Sequence, residues 1–393
     1  MVGHGVRGSD VTGGSGRQHV ARVPGSSSRG QTHDALTVPL GDNSYAIHLG
    51  PGLLPRLGRL AAGCVRSHRG CIVSNRAVAR LYGARTLAGL RDGGLDATLV
   101  HVPAGERSKC LSQASRLYDE FLRAGLDRAS FVVALGGGVV GDLAGFAAAT
   151  YMRGIDYLQV PTTLMAQVDS SIGGKTAVNL PRGKNLVGAF HQPRLVVADT
   201  ETLRSLPRRE YRNGWAEVVK HALIADADLF AVLEATAGAL GRLDPDCVVP
   251  AIRRSCEIKV DVVRRDEREA GVRAILNCGH TIGHALERTA AYGRLRHGEA
   301  VAIGLAAEAR IAVGRGMMAE GDASRLEQLL LALGLPIRLR SPNADAVLAA
   351  CEVDKKRLAG KNRVPLPLGI GNVAIVDDVT ADEIRDAVAH IAH

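Results

Sequence analysis

The stretch "GHTIGHALE" (279–287) sets His280 and His284 four residues apart, and "RHGEAV" (296–301) adds His297. Residues four apart on a helix share a face, the arrangement in which two imidazoles ligate one metal ion. The same spacing suits two histidines that only pack. A metalloprotease is excluded, because Thr281 stands where the HExxH pattern needs its glutamate base. In "NGWAEVVKHALI" (213–224), Glu217 and Lys220 lie three apart on one helical face. Alone they read as a surface ion pair. Combined with His280 and His297, Glu217 completes a set of one carboxylate and two imidazoles, the ligand type of a catalytic zinc with an open position. Cobalt, manganese or iron would suit the same donors.

Three further stretches carry polar chemistry. In "LGGGVVGDLAGFAAATYMRG" (135–154), Gly136, Gly138 and Gly141 match G-x-G-x-x-G after an apolar strand and before a helix. Such a turn lets backbone amides approach a dinucleotide or a phosphate. No acidic residue follows about 20 positions on to hold a ribose, so a standard Rossmann domain is not expected. "QVDSSIGGKTAVNLPRGKN" (167–185) reads as a polar loop bearing Asp169, Lys175, Lys184 and Asn185. Two lysines and an amide beside flexible backbone suit a phosphate. Its "GGKT" lacks the upstream glycine of a P-loop. In "DEREAGVRAILN" (266–277), Arg273 and Asn277 precede His280 at steps of four and three, as if on one helical face. An arginine fork there suits a carboxylate. Lys259 and "DKK" (354–356) supply further cations, although "DKK" alone reads as solvated surface.

The elements that must position these residues fall into two groups. Residues 1–34, rich in Gly, Ser and Arg without apolar periodicity, read as a disordered tail. From 35 to 206 short apolar runs alternate with helical patterns: "GCIVSN" (70–75), "ATLVHVPAG" (97–105) and "SFVVALGGG" (130–138) as strands, "SQASRLYDEFLRAGL" as a helix. That alternation predicts a parallel α/β sheet. From 207 to 393 long helical patterns dominate, including "REYRNGWAEVVKHALIADADLFAVLEATAGAL" and "VRAILNCGHTIGHALERTAAY". The expectation is an α/β nucleotide-binding domain followed by a mostly α-helical domain.

Composition narrows the function classes. A chain of 393 residues with 46% apolar content accommodates two cores. Aromatics are only 3% and the charge of +9 is spread evenly, against a nucleic-acid platform and in favour of an anionic small molecule. Seven scattered cysteines without a CxxC pair suit a reducing cytoplasm. Neither a membrane span nor a secretory signal is evident.

Taken together, "GGGVVGDLAGFAAATYMRG", "VPTTLMAQVDSSIGGKTAVN", "GKNLVGAFHQP", "AEVVKHALI", "GHTIGHALE" and "HGEAV" resemble the 3-dehydroquinate synthase family of sugar-phosphate cyclases, from about residue 36 to the C-terminus. The resemblance implies conversion of 3-deoxy-D-arabino-heptulosonate 7-phosphate to 3-dehydroquinate and phosphate, in the shikimate route to aromatic amino acids. It implies NAD used catalytically and one divalent metal, Zn²⁺ or Co²⁺, on Glu217, His280 and His297. His284 is left for phosphate contact and proton handling. Asp169, Lys175, Asn185, Lys220, Lys259, Arg273, Asn277 and Lys356 are implied to face the substrate. Arg273 would hold the carboxylate, while Lys175, Asn185, Lys356 and Arg153 would hold the phosphate. Arg153 would reach across from a second subunit, which implies a homodimer. NAD would lie on Gly138, Val139, Val140, Gly141, Asp142, Thr162, Thr163, Lys175, Lys184, Thr202, Leu203, Arg204 and Ser205, with Glu106 and Lys109 completing the site. Alternatives are a sibling cyclase of the amino-dehydroquinate, 2-deoxy-scyllo-inosose or valiolone type, a metal-dependent polyol dehydrogenase, and a non-catalytic scaffold. The last two have no use for a full set of cations around a phosphate.

Overall fold

The computed structural model describes Met1, residues 35–290, 295–357 and 363–393, and for 352–357 the backbone alone. The tail expected over 1–34 lies, apart from Met1, outside the described residues. Nine strands precede residue 200: β1 (Leu36–Val38), β2 (Tyr45–Gly50), β3 (Arg69–Asn75), β4 (Asp96–Val102), β5 (Phe131–Gly136), β6 (Asp156–Pro161), β7 (Lys175–Leu180), β8 (Gly183–Phe190) and β9 (Leu195–Asp199). Seven form one sheet in the order β1-β2-β9-β6-β5-β3-β4. Only the β1–β2 pairing in it is antiparallel.

The central strands are apolar on both faces because both faces are covered. In β5, Val132 and Ala134 enter one core while Phe131, Val133 and Leu135 enter the other. In β3, Cys71 and Val73 point one way and Ile72 the other. Period-two alternation thus splits a continuous apolar run between two layers. The chain leaves β3 towards β4, then returns to place β5 on the other side of β3. That reversal opens a crevice beyond the carboxyl ends of β3 and β5, where open α/β sheets bind ligands. The glycine turn after β5 lies at this point and starts the helix Gly138–Thr150.

Beyond β9 the Thr200–Ser205 turn leads into the helices Arg208–Ala225, Ala227–Gly241, Pro245–Arg265, His280–Thr289, His297–Gly314, Glu320–Ala332, Ala344–Arg357 and Ala381–His390. A hairpin of β10 (Val364–Gly369) and β11 (Asn372–Val376) interrupts them. One apolar core joins the two parts, since Ile47, Leu164 and Val196 belong to the same cluster as Trp215, Val219 and Ile258.

Three local expectations are corrected. The long helical pattern over 209–240 is two helices, because the Asp226 side chain leaves the first and caps the second by accepting from Leu229 N at 2.9 Å. The stretch 167–185 is not a loop. After one wide turn at Ala166–Ser170 it forms the antiparallel hairpin β7–β8. Arg273, Asn277 and His280 do not share a helical face either. A 3₁₀ segment, Val272–Asn277, ends before Gly279, whose φ of 78° restarts the chain as the His280–Thr289 helix. Only glycine adopts that backbone without strain. Among the described residues no helix is long and apolar enough to cross a membrane.

Candidate active site

Glu217 lies in the middle of the Arg208–Ala225 helix with no exposed surface, and Lys220 beside it is 1% exposed. The surface ion pair expected from spacing is therefore a buried one, Lys220 Nζ against Glu217 Oε2. Glu217 Oε1 faces His280 Nε2 at 3.6 Å and His297 Nε2 at 3.5 Å. Neither carboxylate oxygen has a well-aligned hydrogen bond. The other ring nitrogens are engaged elsewhere: His280 Nδ1 lies 3.1 Å from Cys278 O, and His297 Nδ1 lies 3.5 Å from Glu287 Oε2. Protons on both Nδ1 atoms leave the Nε2 lone pairs aimed at the Glu217 side, as metal-ligating histidines are held. Bonds of ~2.0–2.2 Å at tetrahedral angles set ligand atoms roughly 3.3–3.6 Å apart. The donor set and its spacing therefore fit a divalent metal.

The charges tell the same story. Burial opposes ionisation of Glu217, yet Lys220, His280 and His297 hold its carboxyl well below the usual range. Burial also opposes charge on His297, but its bonds to Glu217 and Glu287 push it up to about 10. His280 is driven well below the ordinary value by burial and by Lys220. His280 is thus kept neutral, as a ligand must be, and a metal ion bound here would displace the proton that Glu217 and Glu287 hold on His297. His284 stacks edge-on against His280 with centroids 5.1 Å apart and lies 5.7 Å from His297. Its ring nitrogen also falls within ligand distance of theirs. A second cluster, Asp169, Glu217 and His221, already holds two ammonium groups: Lys259 pairs with Asp169 as Lys220 does with Glu217.

The anion-facing groups surround this centre. Lys259, 5% exposed, donates to both the Asp169 carboxylate and its carbonyl. Burial lowers the Lys259 amine and Asp169 opposes the fall. Lys175 at the start of β7 pairs with Glu269, whose other oxygen accepts from Asn277 Nδ2 at 3.1 Å. Arg273, 2% exposed, donates to the carbonyls of Gly173 and Glu267, and its Nε has no partner. Lys184 in β8 pairs with Glu287, linking the hairpin to His297.

On the sheet side, no side chain caps the helix that starts at Gly138, so the amides of Gly138 and Val139 face the crevice. A Cβ on Gly138 would lie 2.9 Å from Ser170 Oγ, so glycine leaves this turn open to a close approach without moving that side chain. Val140 and Gly141 are buried behind it. Lys109, 4% exposed, joins Asp142 to Asn185. Asn179 donates to Glu106 at 2.7 Å and accepts from Asn185 N at 2.9 Å. Thr162 N donates to Gly136 O, fixing the turn from the next strand end, with Thr163 beside it. Thr202 and Leu203 are buried, while Arg204 and Ser205 are exposed, with Ser205 bonded to Tyr82. These features fit a dinucleotide spread over several loops.

One expected residue, Arg153, is not joined to this set. Arg153 is exposed in the turn at the far end of the Gly138–Thr150 helix, about 20 Å from its glycine start. Lys356 has its backbone in the Ala344–Arg357 helix, and its side chain lies outside the described residues. Sequence reasoning missed Asn213, Glu267, Glu269, Glu287 and Glu308. Asn213 Oδ1 accepts from Gly298 N at 2.6 Å and Glu299 N at 3.2 Å, capping the helix that His297 begins. Its position four residues before Glu217, on the same helix face, was the available signal.

The two-part fold, an α/β sheet followed by helices, is that of the sugar-phosphate cyclases. The 2-epi-5-epi-valiolone synthase of Streptomyces hygroscopicus subsp. jinggangensis, solved with NAD⁺ and Zn²⁺, is 32% identical with a TM-score of 0.82, covering 88% of this chain and 96% of that one. A 2-deoxy-scyllo-inosose synthase complexed with carbaglucose-6-phosphate, NAD⁺ and Co²⁺ is 28% identical, also at 0.82, covering 91% and 99%. Within that class the chain belongs to the 3-dehydroquinate synthase family. The family's N-terminal model matches residues 99–213 and its C-terminal model residues 214–357. The 3-dehydroquinate synthase of Pelobacter propionicus is 50% identical over 349 residues, 89% of this chain and 97% of its own.

Proposed function

We propose that this chain is a 3-dehydroquinate synthase. It would convert 3-deoxy-D-arabino-heptulosonate 7-phosphate to 3-dehydroquinate and phosphate, with NAD and one divalent metal as cofactors. The observation that carries the reading is the buried Glu217 carboxylate, paired with Lys220 through one oxygen and faced by two Nε2 atoms at the other, together with the cations Lys175, Lys259 and Arg273. Dehydrogenation alone would not call for those cations. Identity near 50% to curated 3-dehydroquinate synthases, against 28–32% to the sibling cyclases, favours the carboxylate-bearing substrate.

Glu217, His280 and His297 would hold the metal, and the Gly138–Asp142 turn with Lys109, Thr162, Thr163, Lys184 and Thr202–Ser205 would hold NAD. When bound, the metal supplies Lewis acidity at a hydroxyl of the sugar, and NAD takes and returns one hydride with no net redox change. Arg273 would grip the substrate carboxylate with Asn277. Substrate binding at Lys175 and at Asn277 would release both from the Glu269 carboxylate that now bridges them. Lys259 keeps Asp169 ionised, so the Asp169 carboxylate can accept a proton or order a water at the reacting ring. His284, half-buried at the edge of the centre, would carry a proton between ring and phosphate. Lys175, Asn185 and Lys356 would bind that phosphate. Arg153, exposed at the far end of the Gly138–Thr150 helix, would serve a second subunit, so the working form would be a homodimer. Seven cysteines, none of them in a disulfide, support a reducing, cytoplasmic setting.

The test is phosphate release from 3-deoxy-D-arabino-heptulosonate 7-phosphate, its amino analogue, sedoheptulose 7-phosphate and glucose 6-phosphate, each with NAD and Zn²⁺ or Co²⁺. Release from the first alone supports the reading. Release from another alone assigns the chain to a sibling activity.

A further inference from the structure

Glu308 is a fully buried carboxylate that, among the described residues, pairs with no cation. It lies eleven residues after His297, on the same helix, His297–Gly314. Its Oε2 accepts from Gly279 N at 2.5 Å, and its Oε1 accepts from Thr281 N at 3.1 Å and Ile282 N at 3.3 Å. These amides flank His280 on either side. The first amides of a helix lack intrahelical partners, and here no residue of the helix's own chain segment caps them. The carboxylate of one histidine-bearing helix therefore closes the start of the other.

The two helices also cross without side chains between them. A Cβ on Gly304 would fall 2.0 Å from Gly279 O, and one on Gly283 would fall 2.9 Å from Ala300 O. The crossing thus has one close-packed distance, and Glu308 fixes rotation and slide at the end where His280 emerges. Burying a carboxylate is costly, and here burial pushes its carboxyl up to about 8. Three amide donors converge on its two oxygens, an arrangement that a glutamine amide, with one accepting end, cannot reproduce.

We propose that Glu308 is a positioning residue for the metal centre: by clamping the Gly279–Ile282 turn it sets His280 Nε2 against Glu217 and His297. This rests on the metal reading of Glu217, His280 and His297. The residue touches neither metal nor substrate, so it is not catalytic.

The test is Zn²⁺ affinity of the chelator-stripped full chain, measured by competition with a chromophoric chelator, with the visible spectrum of the Co²⁺ form as a second readout. Glu308→Gln retains the shape but turns an amide N–H₂ towards one of the three donors. It is expected to weaken Zn²⁺ by about 10–100-fold, the range for partners of metal ligands, and to shift the Co²⁺ bands. Leu326→Ala, a buried deletion in the Glu320–Ala332 helix, supplies a protein of lowered thermal stability and is expected to bind Zn²⁺ as the parent does. Wild-type affinity and an unchanged Co²⁺ spectrum in folded Glu308→Gln would overturn the proposal, as would an equal affinity loss in Leu326→Ala. Glu217→Gln and His280→Ala run alongside. If they bind Zn²⁺ like the parent, the metal reading fails and takes the clamp with it. If they lose binding while Glu308→Gln keeps it, only the clamp fails.

Discussion

Gly304→Ala puts a methyl group where two histidine-bearing helices leave no space for one. The new Cβ would lie 2.0 Å from Gly279 O and 2.9 Å from both Gly279 C and Gly283 N. All three are backbone atoms, so no rotamer change relieves the contact. An acceptable C···O approach is roughly 3.3 Å, so the helices must part by about 1.3 Å. Metal sites tolerate about 0.2 Å in ligand distance, and the His280 and His297 nitrogens face Glu217 at 3.6 and 3.5 Å. The displacement therefore exceeds what the centre accepts. Overpacking of this kind costs about 1–3 kcal/mol, against a gain of up to about 1 kcal/mol from replacing a helical glycine. Gly314→Ala is the matched control, since its added Cβ meets nothing within 4 Å on the same helix. Calorimetric Tm and Zn²⁺ titration of both stripped proteins make the comparison. The expected result is lower Tm and weaker Zn²⁺ binding for Gly304→Ala, with Gly314→Ala equal to the parent or more stable. Equal Tm and equal affinity in the two variants would refute the reasoning.

Other perturbations read different parts of the account. Glu383 is bonded to Arg315, which lowers its carboxyl to about 2. An unfolded glutamate titrates at about 4.3. A depressed carboxylate adds stability above the unfolded value and loses it as pH falls towards the folded one. The Tm gap between the parent and Glu383→Gln should thus be full at pH 7 and shrink steadily from about pH 4.3 downwards, and a gap that is constant with pH contradicts the ion pair. Arg273→Ala removes charged hydrogen bonds worth about 1.5–3 kcal/mol, so kcat/KM should fall roughly 10- to 150-fold, mainly through KM. An unchanged KM would deny it the carboxylate. Lys109→Met should weaken NAD binding in a fluorescence titration, because Asp142 and Asn185 lose their common partner. An unaltered Kd would remove Lys109 from the cofactor site.

What the sequence disclosed followed from local pattern. The apolar run into Gly136–Gly138 announced a strand, turn and helix because each has a short-range signature. Glu217 and Lys220 were legible as one helical face. Their burial was not, since it depends on helices that arrive later in the chain. The break at Gly279 was hidden because "AILNCGHTIGHALE" keeps apolar spacing through a residue whose φ is 78°. The β7–β8 hairpin was hidden because its strands are half-exposed and rich in Gly, Asn and Lys. Asn213, Glu287 and Glu308 escaped for a different reason. Asn213 meets its partners 85 and 86 residues away, and Glu308 meets its own 26–29 residues away, separations that leave no periodic trace.

The most direct measurement is phosphate release from 3-deoxy-D-arabino-heptulosonate 7-phosphate by the metal-loaded chain with NAD well below the substrate concentration, while absorbance at the NADH wavelength is followed. Many phosphates should be released per NAD, with 3-dehydroquinate as the product and no accumulation of NADH. NADH rising in step with product, or phosphate release that persists in Glu217→Gln after chelation, would contradict the proposed reaction.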